Sequence, residues 1–80
     1  MVKSLPSAFV LINIDLGKES EVISELRALK YVKDVYLVYG VYDTVAKVES
    51  DGLDEIKQTI NGKIRKLNNV RSTKTMLSME

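Results

Sequence analysis

Along this chain, segments whose apolar residues recur every two residues alternate with segments whose apolar residues have helical spacing. The order of these segments is the feature that most restricts the fold. The first segment, "AFVLINID" (8–15), has the two-residue period of a strand. Its apolar residues occupy both faces, with Ala8, Val10, Ile12 and Ile14 on one and Phe9 and Leu11 on the other. This pattern is typical of a central strand covered on both sides.

Two later segments have helical spacing. In "ESEVISELRALKYV" (19–32), Val22, Leu26 and Leu29 fall on one helix face. In "SDGLDEIKQTINGKIRKLNNV" (50–70), one continuous apolar stripe predicts a single long helix: Leu53, Ile56, Ile60, Ile64 and Leu67. Ser50 or Asp51 is expected as its N-cap. Asn68 and Asn69 are expected to end it, because asparagine tolerates a left-handed backbone. Gly62 inside this stripe has no explanation from the sequence.

The remaining segments read as strands. "VKDVYLVYG" (32–40) and "YDTVAKVES" (42–50) are predicted to pair as an antiparallel hairpin that turns around Gly40. Val70 to Met79 forms the last strand. The order β-α-β-β-α-β predicts an α+β fold, the ferredoxin-like plait, with a four-stranded antiparallel sheet and two helices on one face. No linker interrupts the pattern, so residues 1–80 are expected to form a single domain.

Two helices cover only one face of such a sheet. The other face would expose Phe9, Leu11 and apolar residues of the neighbouring strands, and a patch of this kind favours self-association. A two-fold dimer that packs sheet against sheet is the expected solution. The alternative is a smaller patch, interrupted by polar residues such as Asn13 and Lys74.

Composition excludes several classes of site. The chain has no cysteine and no histidine, so disulfides, thiolate metal sites and histidine general bases are excluded, and no metal or cofactor is expected. The formal net charge is +1, which gives no electrostatic reason to expect direct binding to nucleic acid or to a membrane surface. No apolar stretch approaches the roughly 20 residues that span a bilayer. We therefore expect a cytoplasmic protein.

The segment "YLVYGVYDT" (36–44) concentrates three of the four tyrosines around a glycine and an aspartate. The simpler interpretation is a plain hairpin, in which Gly40 supplies a positive φ angle. The functional interpretation is a receptor for a zwitterion. Free N–H groups at Gly40 would bind a carboxylate, Asp43 would pair with an ammonium, and Tyr39 or Tyr42 would add an apolar wall. On the last strand, Thr73 and Thr75 share a face, although threonines at this spacing are more often only strand formers.

The hairpin "VKDVYLVYGVYDTVAKVES" and the closing "VRSTKTMLSME" resemble the C-terminal effector domain, or RAM domain, of the Lrp/AsnC family of transcriptional regulators. The resemblance implies a dimeric α+β barrel, further assembly into octamer-type rings, and amino acids bound between dimers. Carried over by position, Gly40, Tyr42 and Asp43 would form the hairpin side of that site, with Tyr39 as a weaker candidate. Thr73 and Thr75 would form the strand side.

Full-length members of the family carry a helix-turn-helix domain, for which this chain has no room. The resemblance therefore implies a stand-alone effector module that assembles with itself and with full-length regulators. An enzyme built on the same dimeric barrel remains the main alternative, although Asp, Glu, Lys and Tyr form no evident catalytic pair here. An RNA-binding plait is a third interpretation, in which Phe9 and the hairpin tyrosines would stack on bases.

Overall fold

The computed structural model describes residues 5–78. Its strands and helices follow the predicted order: β1 Ser7–Ile14, α1 Glu19–Arg27, β2 Val32–Leu37, β3 Thr44–Glu49, α2 Leu53–Gly62, a 3₁₀ segment Ile64–Lys66, and β4 Val70–Ser78. Met79, which was assigned to the last strand, lies outside the described residues. The predicted ferredoxin-like α+β fold is confirmed.

The sheet has the strand order β2-β3-β1-β4, and every neighbouring pair is antiparallel. β1 is therefore a central strand, as its two apolar faces predicted. The side chains of Ala8, Val10, Ile12 and Ile14 are buried together with residues of both helices, among them Val22, Leu26, Ile56 and Ile60. Burying one Val, Leu or Ile side chain contributes roughly 1.5–3 kcal/mol, so this layer is a main source of hydrophobic stabilisation.

We call the sheet surface opposite the helices the open face. Its apolar residues, identified from the strand register, are Phe9, Leu11, Tyr36, Val45 and Met76. Tyr36 and Met76 are about half exposed, at 51% and 52%. Charged residues border this patch, and the ammonium of Lys47 lies 6.0 Å from the centroid of the Phe9 ring. The open face thus has an apolar centre, and polar residues including Asn13 and Lys74 restrict its extent.

The first helix is shorter than predicted, because α1 ends at Arg27 rather than continuing towards Val32. The N–H groups of Leu29 and Val32 donate to the carbonyls of Leu26 and Leu29, so the chain passes through tight turns. Val32 is then buried as the first residue of β2. The burial of Val32 in the sheet therefore overrides the local helical pattern.

The second apolar stripe is also divided. α2 ends at Gly62, Lys63 has a non-helical backbone (φ −126°, ψ −59°), and the 3₁₀ segment follows. Ile64 is nevertheless fully buried, so the stripe predicted the core correctly but the continuous helix wrongly. Asn69 has the predicted left-handed backbone, at φ 73°. Glycine has low helix propensity, which favours the end of α2 at Gly62.

The predicted N-cap was wrong. Gly52 occupies that position, and no side chain caps α2. Instead the Ser50 hydroxyl accepts a hydrogen bond from the Gly52 N–H and donates to Glu55 Oε1, while Tyr31 Oη donates to Glu55 Oε2 at 2.8 Å. The bond from Ser50 and then the bond from Tyr31 lower the pKa of Glu55. This Glu55 cluster attaches the turn before β2 to the first turn of α2.

Candidate functional site

The loop between β2 and β3 has the conformation that its glycine predicted. The N–H of Val38 donates to the carbonyl of Asp43 at 2.9 Å and closes the loop. Gly40 has φ 146°, a backbone conformation that other residues rarely adopt. A Cβ at Gly40 would contact nothing within 4 Å, so the requirement for glycine comes from the backbone and not from lack of space.

Four consecutive N–H groups line the loop without structural partners. Within residues 5–78, the N–H groups of residues 39–42 donate to no backbone carbonyl. The side chains of Tyr39 and Val41 are fully or largely exposed, and Tyr42 is half-buried. Free N–H groups in a turn are suited to an anionic group such as a carboxylate.

Asp43 joins the loop to the end of β1. Its N–H donates to the carbonyl of Ile12 at 3.0 Å, and its Oδ2 accepts a hydrogen bond from the N–H of Ile14 at 3.1 Å. The other carboxylate oxygen accepts no hydrogen bond from the described residues. Asp43 therefore has a structural contact that the sequence did not reveal, in addition to one oxygen that is available to a ligand.

Thr73 and Thr75 share a face, as predicted, and it is the face that the helices cover. They pair with Ile12 and Val10 of β1. Arg65 Nε donates to the hydroxyl of Thr73 at 3.2 Å, and the buried Thr75 hydroxyl has no hydrogen-bond partner among the described residues. Thr73 and Thr44 pair with opposite sides of Ile12, so they lie two strand spacings apart, roughly 10 Å. Within one chain the structure thus gathers Tyr39, Gly40, Tyr42 and Asp43, but not the two threonines.

Several apolar side chains lie exposed where β1 ends and the loop begins. We call this surface the hairpin end, and its residues are Leu16, Leu37, Tyr39 and Val41, with exposed fractions from 67% for Leu37 to complete exposure for Tyr39. Such a group of exposed apolar residues is typical of a surface that contacts another protein.

An open groove of about 380 Å³ lies beside the hairpin end, and it was not predicted. It is lined by Ser20, Ile23, Ser24 and Arg27 of α1 together with Leu37. The recurrence of Ser20, Ser24 and Arg27 at helical spacing was the available signal. The groove lies along α1 and does not include the residues of the loop.

Two features are absent from the residues that the structure describes. Residues 5–78 contain no group of three or more Asp, Glu, His or Cys residues that could hold a metal ion. In the same range, no helix is long and apolar enough to cross a membrane.

Comparison with known proteins identifies the family. The model of the Lrp/AsnC ligand binding domain matches residues 7–80. The HTH-type transcriptional regulator FL11 of Pyrococcus furiosus is 32% identical over 73 residues, which cover 91% of this chain and 48% of that protein. The chain thus spans about half the length of the curated relatives that it matches.

Solved structures agree with this result. The crystal structure of FFRP-DM1 superposes with a TM-score of 0.87 at 43% identity, covering 92% of this chain and 99% of that one. The structure of AsnC from E. coli has a TM-score of 0.84 at 21% identity and covers 94% of this chain and 51% of that one, which shows the shared fold. On this evidence, the chain belongs to the Lrp/AsnC family and corresponds to its ligand-binding domain.

Proposed function

We propose that this domain is a non-enzymatic effector module that binds a free amino acid at the β2–β3 loop and couples binding to self-assembly. The observation that carries this proposal is the row of free N–H groups in residues 39–42, beside the Asp43 carboxylate. Family membership supports the class of function, because the matching domain is a ligand-binding domain.

The loop supplies a partner for each of the two charges of a zwitterion. Its N–H groups would bind the carboxylate, and the Asp43 oxygen that accepts no hydrogen bond would accept one from the ammonium. Tyr39 and Tyr42 would contact the side chain of the amino acid. The N–H groups and Asp43 would recognise the carboxylate and ammonium that all free amino acids share. The two tyrosines would select among amino-acid side chains.

Assembly would complete the site. The apolar centre of the open face would pair with the same face of a second copy, giving a dimeric barrel. The hairpin end would then be covered by contact between dimers, as in an octamer-type ring. Thr73 and Thr75 are distant from the loop within one chain, so a neighbouring subunit would have to supply them to the site.

Coupling then follows from mass action. A ligand held between dimers stabilises the assembly that forms its pocket, so ligand and assembly promote each other equally. Since the relatives are transcriptional regulators, we propose that the module acts in the cytoplasm and assembles with full-length regulators. It would change their oligomeric state in response to the effector.

The test is a thermal-shift measurement with each of the twenty amino acids, on the wild type and on Asp43→Asn. The control is Asp51→Asn, which removes the same charge from an exposed aspartate before α2. A ligand at about 100 times its Kd adds about 2.7 kcal/mol per site. For a domain of this size that raises Tm by roughly 10 °C or more.

We expect one amino acid, or a few of related structure, to raise Tm in the wild type and in Asp51→Asn, and to have little effect in Asp43→Asn. Light scattering after gel filtration should show larger particles when that amino acid is present. The proposal fails if none of the twenty shifts Tm, or if Asp43→Asn responds as strongly as the wild type.

A further inference from the structure

The net charge is close to zero, but acidic and basic residues are distributed unevenly along the chain. Every acidic residue except Glu80 precedes Ile56. Residues 56–78 contain no acidic residue and six cations: Lys57, Lys63, Arg65, Lys66, Arg71 and Lys74. The last third of the domain is therefore strongly basic. These cations can form a binding surface only if the fold brings them close together.

The fold brings four of these cations to one edge, which we call the basic end: Lys63, Arg65, Lys66 and Arg71. Lys63 follows α2, Arg65 and Lys66 belong to the 3₁₀ segment, and Arg71 lies near the start of β4. The hydrogen bond from Arg65 to Thr73 attaches the 3₁₀ segment to β4. All four side chains are exposed.

These charges are poorly compensated. Among the residues that the structure describes, only Arg71 of the four has an acidic partner, and its Nε lies 3.8 Å from Asp15 Oδ1 with both side chains well exposed. Exposed pairs of this kind contribute little. The C-terminal end of α2 carries a partial negative charge, which interacts favourably with the ammonium of Lys63. This effect falls off within one helical turn, so it does not account for Arg71 on β4.

We propose that the basic end binds the phosphate backbone of duplex nucleic acid without reading its sequence. Phosphate contacts from Lys and Arg supply essentially all of such non-specific affinity. The bond to Thr73 uses the Nε–H of Arg65, and the other guanidinium N–H groups of this exposed side chain have no hydrogen-bond partner among the described residues. The exposed amides of Asn61 and Asn68 add neutral donors of the kind that contact phosphates.

Two features favour a duplex over other anionic partners. Residues 56–78 contain no aromatic side chain, and single strands are usually held by stacking on aromatic residues. Hot spots of protein interfaces are enriched in Trp and Tyr as well as Arg, and the basic end offers neither Trp nor Tyr as an anchor. Arg65 contacts Thr73 on the helix-covered side of β4, so a dimer formed through the open face leaves Arg65 accessible.

Such binding goes beyond the proposed function, and it differs from the expectation of no direct contact with nucleic acid, which was drawn from the net charge and from the lack of room for a helix-turn-helix domain. The experiment is fluorescence anisotropy of two labelled duplexes of unrelated sequence, titrated with the protein over a range of salt concentrations. Four phosphate contacts predict a slope of log K against log salt of about −3.6, the same for both duplexes. Lys63→Gln/Lys66→Gln should make the slope shallower by about 1.8, which corresponds to binding weaker by roughly a hundredfold or more at 50 mM salt.

The matched control is Lys30→Gln/Lys33→Gln, which removes the same charge from two exposed residues, one before β2 and one in it, and should leave the slope unchanged. No binding at low salt overturns the proposal, as does an equal loss in both double variants, which would indicate a net-charge effect. Tighter binding of a single strand, or displacement of the duplex by polyglutamate at equal charge concentration, also overturns it. Both double variants should keep the amino-acid thermal shift, so failure of either proposal is distinguishable from failure of the other.

Discussion

Replacement of Asp43 by alanine should destabilise the ligand-free protein, because the carboxylate accepts the hydrogen bond of the Ile14 N–H. A hydrogen bond to a charged group contributes about 1.5–3 kcal/mol. The contact is only partly buried, so we expect a loss of about 1–2 kcal/mol in the free energy of unfolding. For a domain of this size the corresponding decrease in Tm is about 5–15 °C.

Asparagine at the same position separates structure from charge. The side-chain carbonyl of Asp43→Asn can still accept from the Ile14 N–H, so this variant should unfold within a few degrees of the wild type. Thermal unfolding followed by circular dichroism, without amino acids and at one protein concentration, measures both variants. Asp51→Ala, at an exposed aspartate with no such bond, is the control.

Two results would refute this reasoning. If Asp43→Ala unfolds at the wild-type temperature, the bond to Ile14 contributes nothing to stability, and Asp43 is retained for its charge alone. If Asp43→Asn loses as much stability as Asp43→Ala, the negative charge and not the acceptor atom stabilises the end of β1.

Three further predictions concern stability. Thr44→Val should raise Tm by a few degrees in calorimetry. The buried Thr44 hydroxyl has no hydrogen-bond partner among residues 5–78, and valine has the same shape as threonine. A lower Tm would contradict this prediction. Gly62→Ala should stabilise the protein by about 0.5 kcal/mol in urea unfolding, since the added Cβ would contact nothing. Gly40→Ala should destabilise it, because Gly40 has a positive φ. Equal effects of the two substitutions would contradict the backbone requirement for glycine at position 40. The pKa of Glu55 is lowered by folding, so the folded state binds fewer protons, and stability should decrease as pH falls below the ordinary glutamate value of about 4.3. The stability of Glu55→Gln should decrease less than that of the wild type over the same pH range. If the two proteins have the same pH profile, Glu55 makes no such contribution.

The sequence predicted the fold well because apolar periodicity reports burial directly. The alternation in β1 identified the buried row from Ala8 to Ile14, and the stripe that contains Ile56 and Ile64 identified core residues of α2 and of the segment after it. Helix ends were less predictable, because they depend on contacts with distant residues. The end of α1 is determined by the burial of Val32 against the sheet, and the attachment of α2 depends on the bond between Tyr31 and Glu55.

The candidate site was predictable in part for the same reason. A glycine with a positive φ leaves a local signal, so Gly40 and the loop around it were identified from the sequence. The bond between Asp43 and Ile14 joins residues that are distant in the chain and leaves no such signal. The distance between the loop and Thr73 depends on the strand order, which a spacing of two residues does not determine.

The strand order has a consequence for synthesis and folding. β1 lies in the middle of the sheet, but its two partners are β3 and β4, and Ser7 pairs with Ser78 near the other end of the chain. During translation the first strand therefore emerges long before the last one, and its apolar residues must wait for β4 before the sheet can close. A nascent chain that stops before Val70 would leave one side of β1 unpaired, so the sheet is complete only once the nine-residue β4 has been added.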